Sequence, residues 1–446
     1  MNFFTKKPYY TILLSFLTFI TLGGFLLSLP IMQKDGQWGS IIDSFFMATS
    51  AIAVTGLSVY TVSEQLTTLG QVLLMIFMVL GGLGIITIFS FFSIIIGKKI
   101  GIMERYMLKQ ALNLTTMSGA LKFVQQVMLI AFVIIVIGAS LYSIVMIPIY
   151  GWGGGIFQSF FLAISAFNNA GLDIIGSQSL IPFQANLFIQ LVTILLIISG
   201  GIGFLVWVEL FKVKFVLSKL STFAKIVLIM NAILIVVGTL GLMITETAFM
   251  NGLRFDLALF MSVSSRTAGL TMVNIGTMTT ASKFLIMILM FIGANPISTG
   301  GGIKTTTTFI VFLSIWALIS GQRVHAFKRT FSIEAILKAM ALVVISLAFV
   351  LFLGVIIAVI EQHNPQYMNG GFSDTAILFE VVSGFGTVGF SEGITPILSS
   401  PSKWLMMMVM LLGRIGPISA ISVFSDKLSW TEQSDVQYME ATVPIG

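Results

Sequence analysis

The chain has 446 residues, of which 57% are apolar and 9% charged, and its mean hydropathy is +1.04. That balance excludes a water-facing globular domain and predicts a multi-span membrane protein. The net charge is +6 and cysteine is absent, which removes disulfides and thiolate metal sites.

The first apolar run, Tyr9 to Leu29, follows Lys6 and Lys7. It is too long for the core of a signal peptide and ends at Leu29-Pro30 without a small-residue cleavage site, so it reads as a span. Seven more runs follow: Val72 to Ile96, Val127 to Ile149, Leu187 to Val208, Ile226 to Ile244, Phe284 to Ile319, Ala339 to Ile360 and Trp404 to Phe424. Runs of about 20 residues cross hydrocarbon as helices. Taken in pairs, the spans enclose shorter apolar stretches at Ile42 to Ile52, Phe157 to Phe167, Phe255 to Ser265 and Thr375 to Phe385. These are too short to cross and are expected to be re-entrant.

The predicted fold is therefore an all-α membrane protein with eight transmembrane helices. They form four tandem span, pore-helix, span repeats around one central pore: residues 1–110, 111–218, 219–330 (with a broken second span) and 331–428, then a cytoplasmic tail, 429–446. Most Lys and Arg fall in the amino terminus, Lys98 to Lys122, Lys212 to Lys225, Arg323 to Lys338 and at Lys427. The positive-inside rule puts those segments and both termini in the cytoplasm, and the short stretches toward the outside. That clustering gives no support to nucleic-acid binding.

Each short stretch ends in a tripeptide closing on Gly: Val54-Thr55-Gly56, Asn169-Ala170-Gly171, Thr267-Ala268-Gly269 and Thr387-Val388-Gly389. Alignment on these glycines brings further positions into register. Six residues earlier stand Ser50, Ser165 and Ser383, with Val263 the exception; thirteen earlier stand Asp43, Gln158 and Asp256, with Asp374 displaced by two. An acid there complements the amino-terminal end of a helix dipole and leaves the carboxy-terminal end pointing inward. Backbone carbonyls replace the hydration shell of a monovalent cation when the strand is extended and unobstructed, and Gly permits that approach. No Asp or Glu occurs in the tripeptides, which favours a weakly hydrated ion such as K⁺ over a divalent one. The bland alternative, glycines that only let helices pack, weakens with four in register.

The second spans carry Gly81-Gly82-Leu83-Gly84, Gly200-Gly201-Ile202-Gly203, Gly293-Ala294-Asn295-Pro296 and Gly413-Arg414-Ile415-Gly416. Packing around a pore is the default role of these clusters, and the matching spans are expected to stay helical there. The third is broken by Pro296, Ile297, Ser298, Thr299, Gly300, Gly301 and Gly302, ahead of Ile303 and Lys304. Non-helical backbone at membrane depth is tolerated where it lines a cavity or is buried in protein, so this loop is a natural gate below the filter. An intramembrane arginine is costly, and Arg414 is expected either to raise an electrostatic barrier or to hold the loop through backbone carbonyls. Lys304 has two open readings, the same cavity or the cytoplasmic interface. Arg266 is expected to brace its strand from behind. No Walker motif and no central carboxylate relay is present, so neither an ATPase nor a proton pump is indicated.

In combination, these repeats, glycines, break and arginine resemble the Trk/Ktr/HKT superfamily of K⁺ transporters over residues 9 to 424, with a compact length nearest the Ktr membrane subunit. The resemblance implies K⁺ uptake at the plasma membrane through one pore per subunit, in a homodimer regulated by a cytosolic ring of KtrA-type nucleotide-binding subunits. It assigns K⁺ to the twelve tripeptide residues and gating to Ile297 to Thr307 and Arg414. No covalent cofactor and no enzymatic activity are implied; nucleotide enters through the partner, and Na⁺ dependence occurs in the group. The unequal tripeptides predict fewer ordered sites than in a symmetric channel. The other functional class consistent with a broken span is an alternating-access cation carrier.

Overall fold

The computed structural model describes residues 8–97, 119–247, 252–368 and 370–416, together with Gly101 and Leu108. Lys6, Lys7, most of the Lys98 to Lys122 segment, the end of the Trp404 to Phe424 run and the tail with Lys427 lie outside the described residues.

Single-turn helices aside, the elements are α1 (Pro8–Ser28), α2 (Ile41–Ile52), α3 (Thr68–Leu83), α4 (Ile85–Ile95), α5 (Ala120–Asn168), α6 (Leu187–Gly201), α7 (Phe204–Lys212), α8 (Thr222–Thr247), α9 (Phe255–Ser264), α10 (Thr280–Phe291), α11 (Thr305–Ser320), α12 (Ile333–Glu361), α13 (Asp374–Gly386) and α14 (Ser400–Ile415). A two-residue hairpin, His325–Ala326 with Arg329–Thr330, joins α11 to α12. Helix starts are set by polar caps. Ser40, Thr67, Asn186, Thr279, Ser332 and Ser373 each accept a bond from a first-turn N–H.

Among the described residues four helices are long and apolar enough to cross a membrane, and six if each of two bent pairs counts as one span. Their outer faces carry large apolar side chains such as Phe132, Leu195 and Phe352, as lipid contact requires. Most of the buried core is one cluster running from Phe16 to Met410 that includes the short helices α2, α9 and α13, with two smaller clusters around Val206 and Met230.

One feature differs from the sequence reading. The second spans of the first two units are not continuous: α3 turns into α4 by 96° at Gly84, and α6 into α7 by 94° at Gly203. Gly84 (φ 86°, ψ 128°), Gly203 (φ 97°, ψ 132°) and Gly416 (φ 90°, ψ 140°) share one conformation, which a side chain resists. The two bends thus fall on the last glycine of their clusters, and between α10 and α11 the interruption is a longer loop. The runs Val127 to Ile149 and Phe157 to Phe167 are two helices within α5 that meet at a kink at Gly151 (φ 74°, ψ 172°), and a Cβ on Gly155 would lie 2.6 Å from Ile147 Cα, so the chain folds back between them as the sequence reading expects.

The helices close on themselves. Helix α3 packs on α5, α6 on α9, α10 on α13, and α14 returns to α2, so the second long helix of each unit abuts the short helix of the next.

Candidate functional site

The ring closure sets the carboxy-terminal ends of α2, α5, α9 and α13 facing one centre, each followed directly by its tripeptide. The middle N–H of each tripeptide donates back to the helix end, five residues back in three cases and four in that of α9. Thr55 N–H donates to the Ser50 carbonyl at 2.8 Å, Ala170 N–H to Ser165 at 2.8 Å, Ala268 N–H to Ser264 at 2.9 Å and Val388 N–H to Ser383 at 2.9 Å. The tripeptides begin with left-handed residues, Val54 (φ 56°), Asn169 (φ 56°), Thr267 (φ 96°) and Thr387 (φ 50°), and end on glycines at φ 95°, 70°, 72° and 94°. The residue between has negative φ, so the hand alternates, and successive carbonyls turn to one side instead of alternating as in a strand. Val54, Thr267 and Thr387 are β-branched, and positive φ costs such a residue on the order of 1–3 kcal/mol. Strain repeated in three chains around one centre marks a site.

The four glycines touch in a cycle. A Cβ placed on Gly56 would lie 2.7 Å from the Ala170 carbonyl oxygen, one on Gly171 2.9 Å from that of Ala268, one on Gly269 1.9 Å from that of Val388, and one on Gly389 2.3 Å from that of Thr55. No room exists for any side chain. Ser50 and Ser383 hydroxyls accept from the N–H groups of Gly56 (3.0 Å) and Gly389 (3.1 Å), while the Ser165 hydroxyl has no partner among the described residues. Val263, the exception to the serine pattern, leaves the third strand to other supports. One is the Thr267 hydroxyl, which donates to the Asn169 amide oxygen at 2.9 Å, the orientation that also lets the amide nitrogen donate to the Ala166 carbonyl at 3.0 Å.

On one side of the ring a cavity of about 790 Å³, the vestibule, is lined by all four glycines and by Tyr60, Asp173 and Glu392. Glu392 is paired with Lys283 at 2.6 Å. Burial raises the Asp173 carboxyl above its ordinary range, partly opposed by hydrogen bonds from Ser179, Ile175 and Gly176.

The opposite side is closed by the loop between α10 and α11. Gly301 N–H donates to the Thr387 hydroxyl at 2.8 Å, and a Cβ on Gly300 would meet the Thr267 hydroxyl at 2.3 Å. The loop therefore lies against the inner ends of the third and fourth tripeptides. Thr299 donates through its hydroxyl to the Phe167 carbonyl at 3.3 Å, reaching the end of α5. Ile297 stands at φ 57°, its carbonyl accepting from Phe204 N–H at 2.8 Å, and Ser298 donates to the Asn295 carbonyl at 2.7 Å. Gly302 N–H donates to the Gly413 carbonyl at 3.3 Å. Arg414 donates to the carbonyls of Thr299, Gly81 and Gly82, so its guanidinium bridges the loop and the break of the first unit. Lys304 turns inward, its ammonium donating to the Gly300 carbonyl at 2.8 Å.

The structure thus brings all twelve tripeptide residues, the loop and Arg414 into one column. The remaining glycines divide by role. Cβ atoms on Gly81, Gly200 and Gly413 would strike the carbonyl oxygens of Ile52, Phe167 and Phe385 at 2.1, 1.7 and 2.0 Å, which is helix packing; Gly293 instead meets the Gly301 carbonyl at 2.2 Å, packing on the loop. Sequence reasoning left Asn231, Asn295 and Asp173 unassigned, although a lone polar residue in an apolar run and an acid two positions past a tripeptide were visible signals. Glu380 and Glu209 hold local structure, accepting from Ser391 and Thr395, and from Ser221.

A family model described as TrkH, cation transport protein, matches residues 5–432. The potassium/sodium uptake protein NtpJ of Enterococcus hirae is 37% identical over 99% of this chain and 97% of its own length. The Ktr system potassium uptake protein B of Bacillus subtilis is 35% identical (98% and 97%), and that of Vibrio alginolyticus 33% identical (98% and 94%). The crystal structure of the potassium transporter TrkH from Vibrio parahaemolyticus superposes with a TM-score of 0.69 at 18% identity, covering 92% of this chain and 84% of that one, which is a likeness of fold.

Proposed function

Because the chain belongs to the TrkH cation transport protein family, we propose that it takes up K⁺ across the plasma membrane through a single central pore. The cycle of four glycines, each against the carbonyl preceding the next, carries this reading. The twelve tripeptide residues are the filter: one-sided carbonyls, no fixed charge, and four helix ends directing partial negative charge inward suit a dehydrated monovalent cation. The loop from Ile297 to Lys304, with Arg414, is the gate, since it fills the column immediately inside that ring. In this reading the units 1–110, 111–218, 219–330 and 331–428 are tandem repeats contributing eight spans, with both termini cytoplasmic. Two copies form a homodimer, and a cytosolic ring of nucleotide-binding subunits acts on the gate. Naming of the relatives as potassium/sodium and Ktr-system uptake proteins supports K⁺ as cargo, Na⁺ as a second ion, and a regulatory partner.

The repeated breaks at Gly84 and Gly203 and the loop between α10 and α11 favour a second reading, an alternating-access carrier, because broken helices form midplane sites in such proteins. Purified protein in liposomes separates the two: a pore gives flux that stays proportional to the K⁺ gradient, whereas a carrier saturates at low turnover. Absence of any cation flux, with and without the nucleotide-binding partner, rejects both.

A further inference from the structure

The loop is held at its tip by the tripeptides and by Arg414, and it is held at its base by a different set of groups. Asn295 and Thr305 stand at its two ends. The Thr305 hydroxyl donates to Asn295 Oδ1, which closes the base, and Asn295 Nδ2 donates to the Gly201 carbonyl at 2.6 Å, fixing it to the second unit. Asn295 Oδ1 also accepts from Asn231 Nδ2 at 3.0 Å, and Asn231 Oδ1 accepts from Arg266 at 2.7 Å. Asn295 is 1% exposed, Asn231 8% and Arg266 7%. Arg266 immediately precedes Thr267, the residue on which Gly300 rests.

We propose that Arg266, Asn231 and Asn295 are positioning residues, a buried relay tying the base of the intramembrane loop to the third tripeptide, so that opening the loop and selecting the ion are coupled through the third unit. The inference rests on the reading of tripeptide as filter and loop as gate. Three observations carry it. The chain of bonds is continuous from α9 through α8 to the α10–α11 loop. It is almost wholly built from side chains that a neutral apolar span has no need of, and burying them without partners is costly. It also borders a void of about 10 Å³ whose lining includes Arg266, Asn231, Asn295 and Gly201 beside Ile197, Ile198, Val263 and Ala294. Moving the loop base must therefore either break the bond between Asn231 and Asn295 or draw Arg266 and its strand with it.

Asn231 is the residue to change, because its two ends serve different links. Asn231→Asp keeps an acceptor for Arg266 but has no donor for Asn295 and places an anion against its oxygen. Asn231→Leu removes both links. The chain has no cysteine, so Ser298→Cys added to every protein reports loop exposure through its rate of thiol labelling in liposomes, alongside the ratio of K⁺ to Na⁺ flux. Asn231→Asp is expected to label about tenfold faster than the Ser298→Cys parent with the flux ratio retained, and Asn231→Leu to label as fast with the ratio reduced about tenfold, the scale of one buried hydrogen bond. Unchanged labelling in Asn231→Asp, at a thermal midpoint matching the parent, overturns the relay, and this variant decides alone if Asn231→Leu does not fold. Faster labelling in both variants with no change of flux ratio in either overturns the coupling. If the unsubstituted chain itself carries no K⁺, the filter reading fails while the labelling still tests the tie.

Discussion

Replacing the ring glycines one at a time by alanine should damage transport in a graded order that the geometry fixes in advance. Each glycine sits at φ between 70° and 95°, where a side chain costs about 1–2 kcal/mol. Since 1–2 kcal/mol is roughly a 5–30-fold change in population, backbone strain alone disfavours the intact ring by that factor at any of the four positions. Sterics then separate them. The added methyl would lie 1.9 Å from a backbone oxygen at Gly269, 2.3 Å at Gly389, 2.7 Å at Gly56 and 2.9 Å at Gly171. Reaching ordinary van der Waals contact needs a backbone shift of about 1.5 Å in the first case and about 0.5 Å in the last. A carbonyl displaced by 1.5 Å no longer replaces a water of hydration, whereas 0.5 Å leaves coordination weakened. The expected order of loss of K⁺ flux and of K⁺ over Na⁺ preference is Gly269→Ala, Gly389→Ala, Gly56→Ala, Gly171→Ala. Isotope flux into liposomes, with thermal unfolding to confirm equal folding, measures it. Wild-type flux and selectivity in Gly269→Ala, or a folded Gly171→Ala more damaged than Gly269→Ala, refutes the assignment of these carbonyls to the ion path.

Arg414→Gln loses charged hydrogen bonds to Thr299, Gly81 and Gly82, each worth about 1.5–3 kcal/mol, and should raise K⁺ flux in the absence of the regulatory partner. Arg414→Lys keeps the charge without the planar fork and should behave like the glutamine variant; wild-type gating in the lysine variant would instead assign Arg414 to an electrostatic barrier. Ser50→Ala and Ser383→Ala strip the acceptors of Gly56 and Gly389 N–H and should each cost about 1–3 kcal/mol, whereas Ser165→Ala, whose hydroxyl has no partner among the described residues, should leave the melting temperature unchanged; calorimetry compares the three. Burial raises the Asp173 pKa, so the fold favours its neutral acid, a contribution complete below the unfolded pKa of about 3.9 and lost as pH rises through the folded value. Ionisation in that window adds a negative charge to the vestibule, so flux at low K⁺ should rise with pH there, weaken at high ionic strength, and be flat in Asp173→Asn.

Much of the column was legible because its chemistry repeats. Four tripeptides in register, with serines six residues before three of them, located the ring, and a run of Pro296 and three glycines located the loop. Arg414 stood out because a charge at that depth needs carbonyl partners, and it has three. The bends at Gly84 and Gly203 were not read, although both glycines are the last of clusters aligned with Gly416. A helix of Leu, Ile and Phe with glycines inside looks the same in sequence whether those glycines permit packing, as Gly81 and Gly200 do, or take a positive φ. The two roles sit two or three residues apart in one cluster, and only the neighbouring chains decide between them. The Asn231 link was beyond reach because a polar residue in a span announces that it has a partner without naming it.

The claim on which everything else depends is that four dissimilar tripeptides form one ion path. Single-channel or macroscopic current through purified protein in a planar bilayer, with K⁺ on one side and Na⁺ on the other, tests it most directly. The ring of one-sided carbonyls predicts a conductance carried mainly by K⁺, with a reversal potential displaced toward the K⁺ equilibrium value and shifted toward zero by Gly269→Ala. A current indifferent to the K⁺ and Na⁺ exchange, or a preference untouched by that substitution, would contradict it.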